Sequence, residues 1–246
     1  MKILLAPSET KHPGGKGAFD PCPLLFDELC SLRTELLERY REIIRRGDPE
    51  ELQKLFGLKK PDEIARYAGH DPLGAPVLPA VERYTGVAYD YLDYASLPEE
   101  PRAYVRENVL IFSNLFGPLL AGDLLPDYRL RQGASLGEIR TERRYRGEAA
   151  PLLEEYLDGE DLLDLRAGYY DKFYLPGRPY TALKFLKEGK VVSHWAKAYR
   201  GLVLRHLALN AVDTLDAFLA LPIPGLSLEE IRTVKNRTEV IYRIEV

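Results

Sequence analysis

The chain has 246 residues, of which 46% are hydrophobic and 29% charged, and its formal net charge is -4. That length holds one large domain or two small ones, and the composition is that of a folded globular protein, not a disordered one. A generally basic nucleic-acid coat is excluded, so any basic surface must be local, and no apolar run reaches the roughly 18 residues a membrane span needs.

The first apolar run, residues 2–6, stops at Pro7. It is too short for a signal peptide, so it predicts a buried strand in a cytoplasmic protein. A polar loop, residues 7–17, follows. Residues 24–46 carry Leu25, Leu29, Leu32, Leu36, Leu37, Tyr40, Ile43 and Ile44 at helical spacing, and Gly47 ends that helix. Residues 50–56 and 62–67 predict two short helices, 79–91 a helical stretch broken at Gly86, and 99–105 another helix. Strands are predicted at 109–112, 162–165 and 190–193, and helices at 153–156, 195–209 and 228–234. Residues 238–246 alternate Val240, Tyr242, Ile244 and Val246, the pattern of an antiparallel strand. Strands and helices mix without a regular βαβ rhythm. The reading is one mixed α/β domain over residues 1–246, a central mixed sheet surrounded by helices, and not a doubly wound fold.

Cys22 and Cys30 stand eight positions apart and match no zinc or thioredoxin spacing, which predicts two reduced thiols. His12, His70, His194 and His206 form no HxxxH pair, and no calcium loop occurs, so neither a metal nor another cofactor is expected. His206 falls on an apolar helix face and reads as a packed core histidine.

Three segments carry candidate chemistry. The loop after the first strand packs Ser8, Glu9, Thr10 and Lys11 together, and strand-end loops commonly carry sites. It is either a solvated turn or a set that holds a polar ligand and moves a proton. Gly14-Gly15-Lys16-Gly17 lacks the P-loop pattern and reads as a flexible flap. In the helix after residues 190–193, with Ser193 as its N-cap, Trp195, Tyr199, Leu202 and Val203 share a core face. Lys197, Arg200, Gly201 and Leu204 share the opposite face, where an anion could sit or water could simply solvate the charges. Residues 128–146 hold Arg129, Arg131, Arg140, Arg143, Arg144 and Arg146 against Glu138 and Glu142, a local basic island for phosphates or an exposed charged loop. If the strands before the first two segments are neighbours in one sheet, the Ser8–Lys11 loop lies near Lys197 and Arg200.

Taken together, five segments in order resemble the YaaA family of peroxide-stress-resistance proteins. They are the opening strand with Pro7-Ser8-Glu9-Thr10-Lys11, then residues 83–89, then Ser113-Asn114-Leu115-Phe116-Gly117-Pro118-Leu119 with Asp123 and Tyr128-Arg129-Leu130-Arg131-Gln132-Gly133, then Tyr170 with Lys172, and finally residues 195–202. Asn114 replaces a glycine of the family pattern, Leu120 and Ala121 an Arg-Pro pair, and Tyr169 a glutamate. The resemblance implies an α/β domain of unusual topology and a role in limiting hydrogen peroxide damage, linked to iron and to DNA. It also implies DNA binding through a basic cleft and a helix-hairpin-helix-like element. That element is placed at residues 52–67, whose hairpin has a single glycine where two are preferred.

Two functions follow. In the first, a cytoplasmic protective protein binds DNA through Lys59, Lys60, Arg140, Arg143, Arg144 and Arg146. In the second, an enzyme acts on a small anionic or nucleobase-like substrate, with Ser8, Glu9 and Lys11 as catalytic groups and Arg129, Lys172, Lys197 and Arg200 as anion ligands. Iron sequestration lacks the paired ExxH motifs or cysteine clusters it requires. An enclosed pocket favours the enzyme and an open basic groove favours DNA.

Overall fold

A computed structural model describes residues 1–245, the side chains of Val191, Ser193 and His194 excepted. The predicted last strand therefore ends, at Val246, outside the described residues. In chain order the N-terminal half contains β1 (Lys2–Leu5), α1 (Cys30–Arg46), α2 (Pro49–Phe56), α3 (Pro61–Ala68), β2 (Val77–Pro79), α4 (Ala80–Arg83), α5 (Val87–Leu92) and α6 (Glu99–Asn108). Then follow β3 (Val109–Ser113), β4 (Gly117–Leu120), β5 (Leu124–Pro126), α7 (Thr141–Tyr156) and β6 (Leu162–Asp164). The chain closes with β7 (Tyr180–Lys187), β8 (Lys190–Val191), α8 (Ser193–Leu209), α9 (Leu215–Ala220), β9 (Leu226–Val234) and β10 (Arg237–Ile244). No helix among the described residues is long and apolar enough to cross a membrane.

The main sheet runs β4-β3-β1-β6-β7-β10-β9, with β8 attached to β7, and β2 pairs with β5 apart from it. The inner strands β3, β1, β6, β7 and β10 are parallel to one another, β4 and β9 close the two edges antiparallel, and β8 adds to β7 antiparallel. Parallel strands covered on both faces are near-continuous apolar runs, as Val109–Ser113 shows: every residue is buried and all but Ser113 are apolar. From β1 the chain reaches β3 on one side and later β6 on the other. The loops after β1 and β6 therefore diverge and leave a crevice at the carboxyl ends of the strands.

Several sequence expectations are corrected. Residues 228–234 are not a helix but most of edge strand β9, paired antiparallel with β10. The register slips opposite Ile241 and Tyr242, so Glu229 is the extra residue of a β-bulge. The bulge puts Leu228 and Ile231 on one face of a strand and imitates helical spacing. Strand β10 is antiparallel to β9 but parallel to β7. Cys22 and Cys30 are not free thiols; they are joined in a disulfide across Cα atoms 4.5 Å apart, because the chain turns back on itself just before α1. Helix α8 begins at Ser193 with Val192, not Ser193, in the capping position. Trp195 is exposed and Leu204 fully buried. The reason is that α8 lies between two partners: Tyr199 stacks on Phe185 of β7 at 5.7 Å, while Gly201 faces the backbone of α5. His206 is only half-buried.

Candidate functional site

The crevice opens where β1 runs into Ala6, whose carbonyl accepts from the Tyr89 hydroxyl at 2.9 Å. The chain then passes alongside residues 83–85. Thr85 N donates to Thr10 O at 3.1 Å, His12 N donates to Arg83 O at 2.8 Å, and Lys11 bridges Tyr84. The Ser8 and Thr10 hydroxyls are 3.1 Å apart. They lie against Gly86, whose φ of 106° lies outside the usual L-residue range and where a Cβ would stand 3.3 Å from Ser8 Oγ.

One wall of the crevice is this loop. Glu9 Oε2 accepts from Arg129 Nη2 at 3.2 Å, and Glu9 Oε1 accepts from the Gln132 backbone N at 3.0 Å. Arg129 is buried, and its Nε donates to Phe56 O at the end of α2 at 2.8 Å. Beneath the loop, Lys11 lies over the Tyr128 ring at 3.9 Å, and its Nζ donates to the carbonyls of Ser8 and Glu9 at 3.3 and 3.4 Å. Burial pulls this ammonium down to about 7, against the attraction of Asp127, while Arg129 adds to the lowering. Under it run the hydroxyls of Tyr84, Tyr128 and Ser113, joined at 2.8 and 2.7 Å, and burial pushes the Tyr84 phenol up to about 12.

The facing wall is α8 with the turn after β6. Lys197 and Arg200 reach the crevice beside Leu165, Ala167 and Tyr170, and the space enclosed is about 460 Å³. Arg200 Nε is buried with no hydrogen-bond partner among the described residues. Burial lowers the Arg200 guanidinium, with Asp164 opposing. Burial raises the Tyr170 phenol, keeping it protonated, and its hydroxyl donates to Asn114 Oδ1 at 3.3 Å. The Asn114 amide in turn donates to Leu130 O at 3.2 Å, so the residue that departs from the family pattern supports the cleft floor. Helix α8 reaches this place by its seam with α5. A Cβ on Gly201 would come within 1.9 Å of Ala88 O, so only glycine allows that approach. The strand before α8 is β8, which is not a neighbour of β1. Helix packing, not adjacent strands, brings Lys197 and Arg200 to the Ser8 loop.

Ser8, Glu9, Arg129, Lys197 and Arg200 thus share one cleft, together with Thr10 and Tyr170. Lys11 is not among its lining side chains. Lys172 is exposed with its Nζ over Tyr169 at 4.7 Å, also outside the lining. Of the basic residues predicted to meet nucleic acid, Lys59 is exposed, and Lys60 pairs with Glu63 at 3.3 Å. Arg140 pairs with Glu142 at 3.6 Å, and Arg144 is held by Glu35 and Glu148 at 2.8 and 3.3 Å. Arg143 and Arg146 are exposed on α7, which is a helix where a charged loop was one reading. Sequence reasoning missed Gln132 as a holder of Glu9. It acts through its backbone N–H, which no side-chain pattern reveals.

The arrangement offers hydroxyl, ammonium and guanidinium donors on an apolar-walled cleft, with one fixed carboxylate. It suits an anion carrying a flat or apolar body.

The family model described as peroxide stress protein YaaA matches residues 1–232. An uncharacterized protein of Campylobacter jejuni is 43% identical, with 99% of each chain covered. A UPF0246 protein of Corynebacterium glutamicum is 34% identical over 94% of this chain and 95% of its own length. A further UPF0246 protein, of Streptomyces coelicolor, is 33% identical over 84% of this chain and 82% of its own. The five motifs and these matches agree, and the chain belongs to the YaaA peroxide-stress family, UPF0246.

Proposed function

We propose that residues 1–246 act as one cytoplasmic domain that serves peroxide-stress protection by binding, and acting on, a small anionic or nucleobase-like ligand in the cleft. The observation that carries this reading is the convergence of Ser8, Thr10, Tyr170, Lys197 and Arg200 on about 460 Å³ at the carboxyl ends of parallel strands. That volume suits a metabolite, not a duplex. Arg200 presents a buried donor for which the protein supplies no partner among the described residues, and a ligand oxygen would satisfy it. Glu9, fixed by Arg129 and the Gln132 N–H, is placed as a proton acceptor or as a receiver of a ligand N–H.

DNA binding with limitation of iron-dependent damage is the second reading. It is favoured by the placement of the α2–α3 hairpin, whose Leu55 and Phe56 carbonyls accept from Arg131 N and Arg129 Nε on the cleft rim. Against it, residues 49–68 carry four basic side chains (Lys54, Lys59, Lys60, Arg66) and four acidic ones (Glu50, Glu51, Asp62, Glu63), and so have no net charge.

Complementation of a peroxide-sensitive strain, run beside a duplex gel shift, separates the two. Lys197→Ala abolishes protection with unchanged gel shift if the cleft is the working site. Charge reversal of Arg143 and Arg146 abolishes both if DNA is.

A further inference from the structure

Away from the cleft, Cys22 and Cys30 lie half-buried at the entrance to α1. What holds them together is not only the sulfur bond. The fully buried Arg33 donates to the carbonyls of Leu24, Leu25 and Phe26, and it anchors that turn to the sheet through Phe116 O at 3.1 Å and Pro118 O at 2.9 Å. The Leu25 N–H donates to Asp123 at 2.9 Å, and the Cys22 N–H to Asp20 at 2.9 Å. Phe19 packs on Phe116 just upstream at 4.9 Å. The turn between the two cysteines is therefore fixed by a guanidinium, two carboxylates and an aromatic contact, none of which depends on oxidation state. Two thiols on such a frame remain within bonding reach after reduction. Both residues are partly exposed, so neither is sealed in the core away from a small oxidant.

We propose that Cys22 and Cys30 are a reversible redox pair that hydrogen peroxide closes. One thiolate attacks peroxide, the O–O bond breaks, and a sulfenic acid and one water form. The second thiol then attacks the sulfenic sulfur. The S–O bond breaks, the S–S bond forms, and a second water leaves. Two thiols lose two electrons and one peroxide becomes two waters. A small external thiol of the glutathione class reopens the bond through a mixed disulfide and returns two electrons and two protons. The pair is independent of the cleft and of any ligand there.

The test uses the full chain, reduced, desalted and given equimolar hydrogen peroxide. Free thiols and intact mass should show both thiols lost for one peroxide, within the monomer, and both restored by reduced glutathione. In Cys22→Ser and Cys30→Ser the surviving thiol should form a sulfenic acid that dimedone traps. One variant should react at the rate of the native pair and the other about tenfold slower, because only one thiol makes the first attack. Closure no faster than the oxidation of free cysteine would overturn the proposal, as would a bond that glutathione leaves intact in the folded chain, or disulfides formed between chains. The wild-type measurements stand even if a variant fails to fold.

Discussion

The two walls of the cleft carry the same kinds of charged residue and use them oppositely. On the loop wall each charge is answered inside the protein: Glu9 by Arg129 and the Gln132 N–H, Arg129 by Phe56 O, and Lys11 by two carbonyls and an aromatic face. On the α8 wall Lys197 is exposed and Arg200 Nε has no partner among the described residues. A wall whose charges are answered inside the protein holds its groups in fixed positions, Glu9 among them. A wall whose cations are left open is where an outside anion gains most. From sequence the Ser8–Lys11 loop stands evenly between site and solvated turn, whereas a solvated face is the preferred reading of Lys197 and Arg200. On the function proposed above, the loop wall holds its groups in place and the α8 wall supplies the open cations.

Changes on the loop wall should act on stability, and the largest is a pH effect. Lys11 has its pKa lowered to about 7 in the folded chain from 10.5 unfolded. Between those values the unfolded chain binds the extra proton, so stability rises with pH from about 7 toward 10. At roughly 1.4 kcal/mol per unit the rise is on the order of 4 kcal/mol. Denaturant unfolding at pH 7 and at pH 9.5 should show it in the native chain and not in Lys11→Met. Arg129→Ala comes next. It leaves Glu9 and Phe56 O without their partner and should cost about 3 kcal/mol, the low end for breaking a buried pair because Glu9 is partly exposed. The same unfolding experiment measures it.

On the α8 wall the effects divide. Gly201→Ala forces α8 away from Ala88 O and should cost about 2 kcal/mol as an overpacked seam, with a parallel loss of peroxide protection as Lys197 and Arg200 shift. A melt together with complementation reads both. Lys197→Ala should be the mildest, within about 0.5 kcal/mol of the native chain, because the side chain is exposed. A large loss of stability there would mean that the cation is scaffold after all and would remove the contrast between the walls.

Much of this was legible in the sequence. The buried runs of β1 and β3, the stripe of α1, and the two short helices α2 and α3 follow from local periodicity, whereas the pairing of α2 with α3 as a hairpin follows from the family resemblance. The membership of Ser8, Glu9, Arg129, Lys197 and Arg200 in retained motifs comes from the resemblance to the YaaA family, not from periodicity. What stayed hidden was nonlocal. Strand β7, Tyr180–Lys187, lies mid-sheet with most residues buried and so shows no clean alternation. The bulge at Glu229 reset the phase of β9. Lys11 reads as a reactive cation beside Glu9, but the tyrosines under it come from residues 84 and 128, whose meeting no local pattern announces. The disulfide was missed for the same kind of reason. The spacing of Cys22 and Cys30 names no motif, and the turn that joins them is held by Arg33 through carbonyls rather than side chains.

The central claim, that the α8 wall binds a small anion, is tested most directly by what the protein retains. Native protein and Lys197→Ala, purified side by side at low salt and analysed by mass spectrometry for bound small molecules, should differ in one respect. An anionic metabolite should travel with the native chain and be lost from a variant that melts at the same temperature. Identical bound molecules in the two samples, or none in either, would contradict the account.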